Sequence, residues 1–273
     1  MTGENKGLRA YAALTAAMVV VLLLAGGLVT TTKTGDTIPT WPHWRGKIEG
    51  GTWVEFSHRA LAGVVGLMVL GLALWVKRAL GWIALAGVVV QALIGGLRIY
   101  VPKAVVSIVH ATFAQVVFCA VVAVALTQSK AWSLRGSGDA RGVGIAATAA
   151  CLLQLIAGAI ARHTGMGLEV HALGAVVVLI FASMLASRLL ATPLRKGAWL
   201  LTGILGFQIC LGLFTWILTR VESFTRSPDA PLGTLIIVSL HVATGAGLLA
   251  ACLGLTLLTG PSKDVAELKA VAA

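Results

Sequence analysis

Charge is what this sequence has least of. Only 11% of its 273 residues are charged, against 58% hydrophobic, and a mean hydropathy of +0.94 excludes an ordinary soluble domain. Cysteine is scarce too: none of Cys119, Cys151, Cys210 and Cys252 forms a CxxC pair, and all four lie in apolar runs. That argues against a structural zinc site, leaves no outer-loop thiol for a disulfide, and makes the four read as small core residues. A basic patch is lacking as well. The 21 Lys and Arg outnumber the 10 Asp and Glu, but they are spread over short loops, which suits a lipid bilayer and not nucleic acid. The first apolar run has no obvious small-residue cleavage site, so it is expected to be retained as a span.

What the chain does have is apolar length. A spanning helix needs about 20 mostly apolar residues, and such stretches occur near 11–29, 55–76, 82–100, 106–128, 142–161, 169–190, 198–218 and 235–258. The expected class is therefore all-α: a polytopic membrane protein with eight transmembrane helices. Twelve Lys and Arg fall on the side that holds both termini and eight on the other, with Arg59 inside a span. The excess places both termini in the cytoplasm of a cell whose inner membrane holds the protein.

The Gly/Ser-containing stretch 131–141 divides the chain into two units, 1–130 and 142–273. They resemble each other. Gln91 with Gly95, Gln154 with Gly158 and Gln208 with Gly212 repeat a Gln-x-x-x-Gly pattern on helices three, five and seven, and two pseudo-symmetric four-helix bundles are expected. Small-xxx-small runs at Gly63–Leu67 and Gly245–Leu249 suit packing inside the bundle or between protomers, so a homo-oligomer stays open.

Histidines mark all four even helices: His58, His110, His171 and His241, each near the outer start of its span and each followed four residues later by a small one, Ala62, Ala114, Ala175 or Gly245. Residues i and i+4 share a helix face, so each imidazole stands beside a low patch where a planar ring can lie. Ionisable groups within spans are costly and usually face a functional interior. Two pairs of haem-iron ligands explain four equivalent histidines better than interhelical hydrogen bonding does. Arg98, Arg162 and Arg220 close odd helices near the same face, where they suit either haem propionates or snorkelling to the interface. Glu55 precedes His58 by three residues on one face, and no acid holds that place before the other three histidines. The first pair thus has an acid/base candidate that the second lacks. Trp41, Trp44 and Trp53 read as interface anchors in a long outer loop that is able to cover the first haem, and His43 and His163 read as surface residues.

The stretch Glu55-Phe56-Ser57-His58-Arg59, preceded by Ala25-Gly26-Gly27-Leu28-Val29-Thr30 and by Pro39-Thr40-Trp41-Pro42, resembles the haem A synthase family. The resemblance implies an oxidoreductase that converts the C8 methyl group of haem O to the formyl group of haem A for terminal oxidases. His58 and His110 would hold haem O, His171 and His241 a haem b that relays electrons, and Glu55 would act beside the methyl group. Haem O synthase, oxidase-assembly proteins and an unidentified electron acceptor would be partners. The chain departs from the pattern in having no loop cysteine pair and in carrying Thr30 to Lys33 where an Arg usually follows the first Gly-Gly. A di-haem b-type electron-transfer cytochrome and a haem-handling protein are the rival classes.

Overall fold

In a computed structural model the described residues are 5–44, 46–101, 103–136, 139–221 and 231–259. They form eight long helices: α1 (Lys6–Thr31), α2 (Thr52–Val76), α3 (Ala79–Tyr100), α4 (Ala104–Gln128), α5 (Arg141–Thr164), α6 (Leu168–Leu189), α7 (Arg195–Val221) and α8 (Leu232–Leu258). A short 3-10 helix, Lys130–Leu134, lies between α4 and α5. All eight are long and apolar enough to cross a membrane, and the protein is all-α and multi-pass. Within hydrocarbon every backbone group must find its partner inside the segment, which the helix alone provides for a single span.

Most helices begin a few residues before the apolar run that marks them. Lys6 and Arg9 open α1, and Arg195 and Lys196 open α7. Hydropathy reports the lipid-facing length, whereas the hydrogen-bonded turns continue into the polar interface. The Asn5 side chain caps α1 by accepting from the Leu8 amide at 3.0 Å.

The surface is apolar and the polar groups lie inside. Leu67 and Leu173 are each 70% exposed, as expected where lipid is the solvent, while Thr15, Gln115, Ser239 and Thr256 are buried. α1 packs on α2, α4 and α8; α5 packs on α4, α6 and α8; α4 also touches α8. The core runs along these inner helices through Val65, Leu72, Val121, Ala147, Leu185 and Ala246. α8 is the most enclosed, with half of its central window buried against a third or less elsewhere.

Cys151 and Cys252 fit the core expectation and stand 3.8 Å apart between α5 and α8, with Cys119 also buried. Cys210 does not fit it: the residue is exposed on the surface of α7. Composition cannot separate the lipid side of a helix from its protein side when both are apolar.

Candidate haem-binding site

All four histidines meet a glycine of the preceding helix. A Cβ built at Gly26 of α1 would stand 3.1 Å from His58 Cε1; at Gly95 of α3, 3.0 Å from His110 Cε1; at Gly158 of α5, 2.8 Å from His171 Cε1; and at Gly212 of α7, 3.1 Å from His241 Cε1. Each imidazole therefore rests on bare backbone, in a seat that any side chain would fill. Three of these glycines close the Gln-x-x-x-Gly pattern. The fourth, Gly26, has Leu22 in place of the glutamine.

Two of these glutamines, Gln91 and Gln154, hydrogen-bond the histidine that they precede. Gln91 Nε2 donates to the His110 carbonyl oxygen at 3.0 Å and lies 3.1 Å from His110 Nδ1 and 3.3 Å from Nε2. Gln154 Nε2 donates to the His171 carbonyl at 2.6 Å, and the Gln154 carbonyl stands 3.2 Å from His171 Nδ1. Gln208 lies against α8 where a Cβ at Gly245 would come within 3.2 Å of its Nε2. The Nδ1 atoms of His58 and His241 are buried without a hydrogen-bond partner.

The His171 and His241 rings are 6.2 Å apart between centroids and inclined at 88°. An imidazole nitrogen lies about 1.1 Å from its ring centroid and bonds a metal at about 2.0 Å, so two rings ligating one metal from opposite sides have centroids roughly 6 Å apart. The observed spacing fits that requirement. His110 is within electrostatic reach of His58 and Arg98. Among the described residues no three His, Cys, Asp or Glu side chains converge.

Glu55, 3% exposed, is occupied by the loop above it. One carboxylate oxygen accepts from Thr37 Oγ1 at 2.8 Å and from the Ile38 amide at 2.9 Å; the other pairs with the Arg59 guanidinium. Arg59 also donates to the Thr40 and Ile38 carbonyls, at 2.7 and 3.0 Å. Ile38 is buried to 1% exposure. Further along the loop, the Trp41 indole covers Gly96 so closely that no side chain would fit there, and the Trp41 carbonyl accepts from Tyr100 Oη at 3.1 Å. Trp44 and Trp53 pack edge-on against Phe56. The first outer loop is thus a cap strapped to α2 and α3, and Trp41 is part of its packing.

The arginines have different neighbours. Arg98 Nε donates to Ser107 Oγ at 3.1 Å, and a Cβ at Gly35 of the cap would lie 3.0 Å from its Nη2. Arg162 reaches from α5 to α1, donating to the Gly27 carbonyl at 2.9 Å and to Thr31 Oγ1 at 2.5 Å. The Arg220 side chain lies outside the described residues. His43 is exposed, whereas His163, expected at the surface, is half-buried and within electrostatic reach of His110. It closes α5 beside Arg162, where α5 leans on the other half of the chain.

No protein-family model matches the chain. Over 134 residues it is 29% identical to a curated protein named Heme A synthase from Shouchella clausii (strain KSM-K16), a match spanning 43% of this chain and 44% of that relative. That similarity supports the haem A synthase family. The matched length is less than half of the relative's own, so the family likeness is carried by one stretch of about that size. Arg59, Ile38 and Thr37 hold the Glu55 carboxylate. Arg59 lies four residues after Glu55, one turn on, which is a signal; the two loop residues leave none.

Proposed function

We propose that the chain is a haem A synthase that oxidises the C8 methyl group of haem O to a formyl group, with water as the oxygen source. The observation that carries the reading is the His171–His241 pair at 6.2 Å, matched by glycine seats under all four histidines. The similarity to a protein named Heme A synthase supports the same choice. The protein works in the inner membrane with both termini cytoplasmic, as two four-helix units in one chain.

His58 and His110 hold the substrate, and His171 and His241 hold a haem b. When bound, that haem supplies one-electron chemistry, passing electrons to an acceptor outside the chain. The conversion takes one water and releases four electrons and four protons: R–CH3 + H2O gives R–CHO + 4 H+ + 4 e−. The chain has to bind the macrocycle, orient its methyl edge, admit water and take up protons. Glu55 is the nearest acid to His58 on the same helix and is the candidate for the proton steps. Its oxygens accept three hydrogen bonds, from Thr37, Ile38 and Arg59, of about four that a carboxylate can take, so the Arg59-facing oxygen is the one with room for a proton. Arg98 and Arg162 suit the propionates.

The test is mass spectrometry of haems extracted from the protein purified from cells that also make haem O. Haem A or its hydroxymethyl precursor, lost in His58→Ala, supports the reading. Glu55→Gln should keep haem bound and stall oxidation; an unchanged yield of haem A removes Glu55 from the mechanism. Two haems b per chain and no modified product would favour a di-haem electron-transfer cytochrome instead.

A further inference from the structure

Arg162 stands where the two halves of the chain meet, and its bonds tie a histidine seat of one half to a histidine seat of the other. α5 supplies Gly158, the seat of His171. One helical turn further on, Arg162 leaves α5 for α1, where its Nη2 donates to the Gly27 carbonyl at 2.9 Å and to Thr31 Oγ1 at 2.5 Å. Gly27 follows Gly26, the seat of His58. A single side chain thus begins one turn from the backbone under a ligand of the second pair and ends one residue from the backbone under a ligand of the first. His241 also lies within its electrostatic reach. Arg98, by contrast, bonds within its own half, to Ser107.

The Arg162 guanidinium has donors to spare. Of the N–H groups that it carries, those on Nη2 go to α1, and those on Nε and Nη1 remain. Among the described residues the ion pairs are Lys47 with Glu49 and Arg59 with Glu55, and no carboxylate answers Arg162. A cation set among apolar helices and held by neutral oxygens alone is costly, whereas a carboxylate on the remaining N–H groups forms charge-assisted bonds roughly twice as strong as neutral ones. Resting on the function just proposed, we infer that Arg162 is the joint between the two sites: a carboxylate of the haem retained by His171 and His241 takes its remaining N–H groups, and the guanidinium so held fixes the α1 backbone at Gly26 and Gly27, on which His58 rests. Loading the second site therefore prepares the first, and by thermodynamic linkage a haem in the first site tightens the second. Arg162 is a positioning residue that acts through Gly26 on His58.

Titration with ferric haem O, followed by absorbance and by the low-spin electron paramagnetic resonance signal, measures first-site affinity in protein that carries a haem b in the second site and in His171→Ala, which empties that site. Haem O should still bind His171→Ala, but about fivefold or more weakly, the lower end of ordinary coupling between sites, and with a shifted low-spin signal. Arg162→Met should weaken first-site binding in the loaded protein, and by a factor about fivefold smaller in the His171→Ala background, where the carboxylate that Arg162 serves is gone; a plain tether of α5 to α1 would cost the same in both. Should Arg162→Met fold poorly, Arg162→Lys, which keeps the charge with fewer donors, takes its place in the same comparison, with smaller losses in the same order. Equal first-site affinity whether the second site is loaded or empty, or an effect of Arg162 that does not depend on the second haem, overturns the inference while leaving the proposed function standing. A first site that binds no haem O in any of these proteins overturns both.

Discussion

Between α1 and α2 the chain takes residues 32–51 to return, whereas between α5 and α6 it needs only Gly165-Met166-Gly167. Both of those glycines have positive φ, +75° and +79°, conformations that a side chain would resist, and they turn α5 directly into the helix of His171. The helix that carries His58 is held to a cap through Glu55 and Arg59; α5 and α6, the helix of His171, are joined by a tight turn. A site that admits and releases a substrate benefits from a cover whose bonds can be broken and remade. One that keeps a cofactor benefits from a short, stiff wall.

The contrast is sharpest in the ligands. Under the proposed function, His171→Ala or His241→Ala should abolish the retained haem while leaving haem O binding in the first half, and His58→Ala or His110→Ala should do the reverse. Haem stoichiometry by pyridine haemochromogen checks both directions. The cap comes next: Glu55→Ala strands the Arg59 guanidinium and the Ile38 amide, and breaking a buried pair costs on the order of 3 kcal/mol. Faster amide exchange at Ile38, with α5–α8 unchanged, is the expected outcome.

Arg162→Met removes both bonds from α5 to α1, and hydrogen bonds to a charged group are worth about 2 kcal/mol. A lower thermal midpoint in detergent would show it. Gly158→Ala should displace the His171 ring and weaken second-site haem by about tenfold, since overpacking costs about 1–3 kcal/mol; Gly26→Ala and Gly212→Ala, with 0.3 Å more room, should do less. The smallest effect belongs to Cys210, which is exposed on α7: Cys210→Ser should leave stability within about 0.5 kcal/mol.

Helical periodicity made much of this legible. The eight spans, the four histidines and the Gln-x-x-x-Gly repeat all depend on spacing within one helix, and spacing is what a sequence records. Three of the four glycine seats are visible: Gly95, Gly158 and Gly212 stand out through the repeat, while Gly26 does not, because Leu22 breaks the pattern. Contacts between distant segments left no trace. Trp41 over Gly96, Arg162 on Gly27 and the Glu55 carboxylate under Ile38 join residues far apart in the chain, and only the packed bundle brings them together. Glu55 looked like an acid beside His58; its bonds to the cap follow from where the loop goes, which no periodicity encodes.

Gly27 of α1 lies against Ser239 of α8, close enough that a Cβ on the glycine would meet the serine backbone at 3.2 Å. Chains are made from the N-terminus, so α1 enters the membrane long before α8 exists. Until then the α1 surface at Gly27 lacks its α8 neighbour, and before α5 is made the Gly27 carbonyl lacks Arg162. Under the proposed function, maturation of the first site is consequently tied to translation of the second half: a ribosome stalled after seven helices holds His58 and His110 while α1 still lacks its α8 neighbour.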